Sequence, residues 1–275
     1  MAVVLAVTVG AQAVSAQAAT AAAINSNKLT CQQVAPISVT LSPTDPTPYT
    51  VAGQLCAKGQ LKGKTMQLLV HGLTYDHRYW DWPQTPQNSY VRSATDDGYA
   101  TLAIDRIGDG ASSHPADGNS VTTISSGYVI HQIVQKLRSG AIGGNAFHKI
   151  IAVGHSFGAA SVGYEAGTYH DVDGVIISGF MHDSSPTTLA AFSAALYPAS
   201  LDPQFANSGL NNTYLTTLPG TRAQFFFNSN VDPAVITKDE QIKQTGTTGE
   251  LDPGTFEQVL AATTGITVPV FITMG

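Results

Sequence analysis

Short apolar runs alternate with helical patterns along most of the chain, and this alternation constrains the fold more than any other feature of the sequence. Such runs are typical of parallel strands that are covered by helices. Between the second and third runs, apolar residues of segment 121–140 recur at helical spacing and a glycine follows, which predicts a crossover helix. The sequence therefore predicts an α/β fold with a mostly parallel central sheet and helices on both faces. The predicted strands are residues 66–72, 99–105, 148–155, 173–179 and 268–275.

Composition limits the class of protein. A chain of 275 residues with 43% hydrophobic residues can bury a substantial core in one domain that carries an insertion. A net charge of −6 without a basic run excludes nucleic acid as a partner. No cofactor is expected, since the glycines at 108 and 110 do not complete a dinucleotide motif: position 113 is serine.

The N-terminal residues 1–18 resemble a signal peptide, with an apolar stretch followed by small residues and cleavage expected near Ala16 or Ala18. No lysine or arginine precedes the apolar stretch, so an alanine-rich helix is the alternative interpretation. No later apolar run is long enough to span a membrane. The sequence therefore predicts a secreted protein, in which residues 19–60 form an N-terminal β segment.

The two cysteines, Cys31 and Cys56, each lie beside a short β-rich run, and a turn-rich segment separates these runs. A hairpin-like return of the chain would bring the two side chains together. A disulfide is expected on the secretory interpretation, and two free buried thiols are the alternative.

The segment Gly154-His155-Ser156-Phe157-Gly158 has the spacing of an activated serine. It lies between a buried-strand run and a helical pattern, which is the strand–turn–helix context that a nucleophile elbow requires. The glycines suit a turn too tight for a Cβ on either side. Ser156 is therefore the predicted nucleophile. A serine that only caps the helix is the alternative interpretation.

Three segments in this order, "VHG", "AIDRIGDGASSHP" and "VGHSFGAAS", resemble the alpha/beta-hydrolase family. "HGLTYDHRYWDWP" and "VDPAVITKDE" resemble secreted fungal members in particular. The resemblance covers roughly residues 60–275. It implies an alpha/beta-hydrolase domain over 61–275 with a helical cap insertion at about 184–264. It also implies that Asp105 and His114 are architectural and not catalytic.

The loop after the first predicted parallel strand contains His71, Gly72 and Leu73. In a hydrolase with a serine elbow, this loop donates one N–H group to the oxyanion, and the residue after the nucleophile donates the other. The backbone N–H groups of Leu73 and Phe157 are therefore the predicted oxyanion donors.

Aromatic residues follow in the same loop. They could form the wall of an apolar acyl or aryl pocket, or they could pack the loop onto the protein. The sequence does not distinguish these alternatives. The residues are Tyr75, Tyr79, Trp80 and Trp82.

The base and the acid of the triad are harder to place. The family order is serine, then acid, then histidine, but only His170 and His182 follow the elbow. His170 is expected at the wrong end of the sheet, and His155 points away from the serine. By resemblance, the acid, a last strand, the base histidine and a closing helix are expected beyond Gly275, so the chain looks incomplete.

Asp183 is the alternative acid if the chain is a divergent member of the family. The predicted activity is hydrolysis of a small-molecule ester through an acyl-enzyme on Ser156, and this chain is expected to be weakly active if the base is missing. Serine at this position argues against the epoxide-hydrolase and dehalogenase branches, which by resemblance have aspartate there. The alternative is a binding module with this fold and no complete triad.

Overall fold

A central sheet of seven strands dominates the part of the chain that the structure, a computed structural model, describes: residues 28–83, 85–180 and 186–274. The predicted signal peptide, His182 and Asp183 lie outside these ranges. In chain order the strands are β1 Leu29–Gln33, β2 Ile37–Val39, β3 Tyr49–Val51, β4 Gly53–Lys58, β5 Met66–Val70, β6 Ala100–Ile104, β7 Ile150–His155, β8 Gly174–Ser178, β9 Leu196–Pro198, β10 Tyr214–Thr217, β11 Gly246–Thr247 and β12 Val270–Thr273.

The central sheet has the order β1-β4-β6-β5-β7-β8-β12. Strands β6, β5, β7, β8 and β12 run parallel to one another, whereas β4 pairs antiparallel with β6 and β1 pairs antiparallel with β4 at one edge. Each of the five predicted parallel strands is present. The mostly parallel α/β sheet is therefore confirmed, and the carboxyl ends of its parallel strands lie along one edge.

The helices are α1 Tyr90–Asp96, α2 Thr123–Ser139, α3 Phe157–Tyr169, α4 Pro186–Ala194, α5 Arg222–Phe226, α6 Pro233–Ile242 and α7 Pro253–Thr263. Helices α2, α3 and α7 pack together, and α2 and α3 bury their apolar side chains against one face of the sheet. Helix α1 and the loop that carries Trp80 cover the other face. None of the described helices is both long and apolar enough to cross a lipid bilayer.

The crossover helix α2 follows directly from its sequence. Thr122 and Ser125 form a reciprocal capping box at its start, which satisfies N–H groups that have no partner within the helix. Gly140 ends it in a left-handed conformation, with φ of 79°. Strands β5 and β6 are buried along their whole length, as apolar runs in the middle of a parallel sheet require.

The predicted insertion, residues 184–264, contains strands as well as helices. Strand β10 pairs antiparallel with β9 and β11 in a small second sheet. The runs that form these strands are very short and rich in threonine, so their alternation is too brief to be recognised in the sequence. Helix α7 lies within the same range but packs on α3 beside the central sheet.

The disulfide between Cys31 and Cys56 is present. It joins β1 to β4 at positions that face each other directly in the antiparallel register. The predicted pairing of the two cysteines is thus confirmed, and the crosslink fastens the edge strand β1 to the sheet.

Replacing both Cys31 and Cys56 with alanine is expected to lower the free energy of unfolding by about 3 kcal/mol, because the crosslink restricts the unfolded chain across a sequence separation of 25 residues. Urea denaturation of the two proteins measures this difference. Dithiothreitol should destabilise the wild-type protein similarly and leave the double variant unchanged. Equal stability of the variant and the oxidised wild type would contradict this role of the crosslink.

Candidate active site

Ser156 lies at the sharp turn between β7 and α3, with φ of 53° and ψ of −121°. A non-glycine residue in such a conformation costs about 1–3 kcal/mol and persists only where the surroundings fix it. Here the Ser156 N–H donates to the Ser178 carbonyl at 2.8 Å, and its own carbonyl accepts from Ala159 and Ala160. The turn is therefore held from both sides.

The two glycines of the elbow are required by close backbone contacts. A Cβ on Gly158 would lie 2.3 Å from the Val70 carbonyl oxygen, and one on Gly154 would lie 2.4 Å from the Ala159 Cα. Both distances are far below a normal contact, so any side chain there would push α3 away from the sheet. The elbow thus has the compact geometry that its sequence predicts.

The loop after β5 lies against the elbow. A Cβ on Gly72 would be 3.1 Å from the Ser156 Cβ. His71 is fully buried: its Nδ1 lies 2.8 Å from the Gly72 carbonyl oxygen, and its Nε2 accepts from the Arg106 N–H at 3.0 Å. Burial and the positive charge of Arg106 lower the pKa of His71 to about 3. His71 is therefore neutral, donates through Nδ1, and fixes the loop.

Two backbone N–H groups beside Ser156 have no acceptor within the described part of the chain. They belong to Leu73, in the loop after β5, and to Phe157, the first residue of α3. The free N–H groups at the start of a helix attract negative charge. Leu73 follows Gly72, which lies against Ser156, and Phe157 follows Ser156 directly in the chain; their role as oxyanion donors stays a prediction.

A cavity of about 700 Å³ opens over Ser156. Its lining is largely aromatic, with a few polar groups close to the serine. The lining residues are Tyr75, Tyr79, Trp82, Asn88, His155, Ser156, Phe157, Ser178, Gly179, Phe192, Phe225, Phe226, Phe227 and Val235.

The four loop aromatics divide between the two roles considered for them. Tyr75, Tyr79 and Trp82 line the cavity. Trp80 is buried away from it and packs edge-on against Tyr79 at 5.0 Å and Tyr90 at 5.3 Å between ring centroids. The loop therefore supplies both a cavity wall and an anchor for its own position.

The described histidines do not include a partner for the Ser156 hydroxyl, and no described side chain hydrogen-bonds to it. The His155 ring stacks on Tyr79 at 4.5 Å, and burial lowers its pKa to about 4. His170 is exposed at the far end of α3, as expected from the sequence. His182 and Asp183 lie outside the described residues.

Asp105 is a structural residue at the end of β6. Its carboxylate accepts from the His77 N–H at 2.9 Å and from the Ala111 N–H at 2.9 Å, and it also contacts His77 Nδ1 at 2.6 Å. Burial lowers the pKa of His77, but the hydrogen bond and negative charge of Asp105 outweigh burial and raise it. His114 is exposed beside Tyr214, with ring centroids 5.7 Å apart.

Arg222 joins the insertion to the loop beside the elbow, with Asp239 as its ion-pair partner inside the insertion, and the sequence did not reveal either residue. Arg222 is completely buried and pairs with the Asp239 carboxylate. It also donates to the Thr74 hydroxyl at 2.8 Å, and its guanidinium lies 4.5 Å from the Tyr75 ring centroid and 4.7 Å from that of Phe226. A lone arginine in an irregular segment carries no sequence signal of burial, because arginine is usually exposed.

The fold is shared with solved hydrolases of low sequence identity. An epoxide hydrolase from Vigna radiata is 17% identical, with 88% of this chain and 80% of that chain covered and a TM-score of 0.51. An esterase from Exiguobacterium antarcticum is 14% identical, with 82% of this chain and 76% of that chain covered and a TM-score of 0.50. Epoxide hydrolase A from Mycobacterium thermoresistibile is 17% identical, with 88% of this chain and 82% of that chain covered and a TM-score of 0.50.

The family of the chain is assigned from a sequence profile, because the structural similarities at such low identity show only the fold. No curated protein sequence matches the chain significantly. Residues 67–272 match the profile described as the Alpha/beta hydrolase family. This range includes the elbow, the loop after β5 and all of the parallel strands except the end residues Met66 and Thr273. The chain therefore belongs to the alpha/beta hydrolase family.

Proposed function

We propose that the protein is a serine hydrolase that cleaves carboxylic esters through an acyl-enzyme on Ser156. The observation that carries this proposal is the position of Ser156: it lies at a strained turn, lines an aromatic cavity, and is followed by Phe157, whose N–H has no acceptor among the described residues. A serine held in this way, beside donors for developing negative charge, is what acyl transfer requires.

In this mechanism the Ser156 hydroxyl oxygen attacks the ester carbonyl carbon and loses its proton to a base. The N–H groups of Leu73 and Phe157 donate to the resulting oxyanion, which α3 also stabilises through its N-terminal dipole. The alcohol leaves with a proton, and water then attacks the acyl-enzyme to release the acid and regenerate the serine.

The general base is the part of this mechanism that the described residues do not supply. Since no described side chain hydrogen-bonds to the Ser156 hydroxyl, we infer that the base lies outside them. Asp183 follows β8 in the chain and remains the alternative acid that would orient such a base.

We further propose that the substrate is an ester with an aryl or other apolar acyl group. The rings of Tyr75 and Phe226 lie 5.5 Å apart, and Phe226 also contacts Phe192, with 5.9 Å between centroids. Aromatic walls of this kind favour a flat or apolar ligand. Secretion is also proposed, and the Cys31–Cys56 disulfide supports it because such crosslinks persist in oxidising compartments.

A second function is favoured by one specific observation: among the described residues, the Ser156 hydroxyl has no hydrogen-bond partner. This second candidate is a binding module that keeps the fold and the aromatic cavity without activating the serine. A fluorophosphonate probe distinguishes the two functions, because it reacts with a serine only when that serine is activated as a nucleophile.

Labelling of the full-length protein by this probe, followed by peptide mass spectrometry, is expected to place the adduct on Ser156. Ser156→Ala should abolish labelling. Ser139→Ala, which removes an exposed hydroxyl at the end of α2, is the matched control and should be labelled like the wild type. A folded wild-type protein that takes up no label would overturn the hydrolase proposal in favour of the binding module.

A further inference from the structure

A second cluster of chemically active side chains lies far from Ser156, where α2 meets the end of α3. It consists of His131 on α2, Glu165 on α3 and Asp171 just after α3. One ligand atom from each residue lies within 4.8 Å of the other two. Since Glu165 is nine residues along from Ser156 and each helical residue advances about 1.5 Å, the cluster is roughly 13 Å from the elbow. We refer to these three residues as the α2–α3 cluster.

Glu165 is the unusual member of the α2–α3 cluster. Its side chain is completely buried, and neither of its carboxyl oxygens receives a hydrogen bond from a donor among the described residues. The Oδ1 atom of Asp171 also has no donor within the same ranges. A buried carboxylate without a partner is strongly unfavourable. Either a proton or a cation must therefore lie between the two carboxyl groups.

The other contacts in the cluster hold its ligand atoms in place. His131 Nδ1 lies 2.7 Å from Asp171 Oδ2, and Gln135 Nε2 donates to the same oxygen at 2.6 Å. The His131 ring stacks on Tyr169, with 4.1 Å between centroids. The side chains of His131 and Asp171 are 25% and 14% exposed, respectively, so an ion can reach the cluster from solvent. Such supporting contacts are typical around metal ligands.

We propose that the α2–α3 cluster binds one divalent transition-metal ion, with zinc as the best-fitting candidate. One imidazole nitrogen and two carboxylates form a donor set that zinc commonly takes, with water completing a tetrahedral site. Calcium and magnesium prefer sites made of oxygen ligands alone, so the imidazole disfavours them. The ion would crosslink α2 to the C-terminal end of α3 and so act on stability.

The proton is the competitor of the metal at this site. Burial, together with the neighbouring Asp171 carboxylate, raises the pKa of Glu165 to about 10. Metal binding must displace this proton, as it does wherever a ligand is protonated in the free protein. The proposal therefore fails if the two carboxyl groups share a proton that zinc does not displace.

The test uses the full-length protein after treatment with a chelator, titrated with zinc chloride by calorimetry. Expected results are one zinc ion per chain, confirmed by elemental analysis after gel filtration, and a higher melting temperature with zinc than without it. Calcium chloride should give no such binding. Failure of the protein to retain zinc would show that the carboxyl groups of Glu165 and Asp171 share a proton instead, and it would overturn the proposal.

Two variants locate the ion. Glu165→Gln keeps the side chain's size and is expected to weaken zinc binding about 100-fold or more, because it removes a charged ligand. His131→Phe keeps the ring next to Tyr169, removes the nitrogen, and should weaken binding similarly. His148→Gln, which changes an exposed histidine elsewhere, should bind like the wild type. Circular dichroism verifies that both cluster variants are folded. If both then bind zinc as tightly as the wild type, the assignment of the zinc site to the α2–α3 cluster is contradicted.

Discussion

Replacing Ser156 with alanine in the full-length protein is expected to lower kcat/KM for p-nitrophenyl butyrate by at least about 1000-fold. The substitution removes the atom that would attack the ester carbonyl and changes nothing else at the turn. The cavity walls and the N–H groups of Leu73 and Phe157 remain, so the loss should fall on kcat while KM stays close to that of the wild type. The release of nitrophenolate measures both constants.

The matched control for this experiment is again Ser139→Ala. Its hydroxyl is exposed and donates only to the Lys136 carbonyl, so its kinetics should equal those of the wild type. Retention of most of the esterase activity by Ser156→Ala would contradict the proposed nucleophile. It would indicate instead that another group, or a contaminant, cleaves the ester.

Replacing Gly158 with alanine is expected to lower the free energy of unfolding by about 3 kcal/mol. The new Cβ would lie 2.3 Å and 2.4 Å from the carbonyl oxygens of Val70 and His71. Both atoms belong to the backbone, so no rotamer change can relieve the contact and α3 must move away from β5. The same movement should displace Ser156 and reduce esterase activity, even where the variant remains folded.

Gly254→Ala provides the comparison for Gly158→Ala, and urea denaturation measures both. At Gly254, in the first turn of α7, the nearest atom to a new Cβ is an Asp252 oxygen at 3.5 Å. Alanine is the better helix former, so the expected change is a gain of up to about 1 kcal/mol. If the two substitutions change the free energy of unfolding by similarly small amounts, the close packing of the elbow is not required for stability.

The sheet and the elbow were predictable from the sequence because each depends on local patterns. Five apolar runs gave the parallel strands, and "GHSFG" between a strand and a helix gave the position of Ser156. The loop after β5 could be placed beside the elbow because, in hydrolases with a serine elbow, this loop donates an N–H group opposite the nucleophile. Each motif is recognisable within one short segment of the chain.

The contacts of the insertion were not predictable, because they join residues distant in sequence through side chains with no periodic pattern. Arg222 reaches Thr74 across 148 positions, and nothing around it indicates burial. His77 likewise has no sequence signal for its role, although its ring and its N–H both contact Asp105. Side-chain contacts of this kind depend on the complete fold, which must first bring the two residues together.

The contacts of Arg222 with the loop after β5 have a consequence for how substrate reaches the serine. Lifting the insertion away would break the hydrogen bond from the Arg222 guanidinium to the Thr74 hydroxyl and its contact with the Tyr75 ring. It would also break the backbone bonds that join Thr74 to Gln244 and Thr245. We therefore expect this side of the insertion to behave as a fixed wall and not as a hinged lid. Diffusion through the mouth of the aromatic cavity is then the route for both substrate entry and product release.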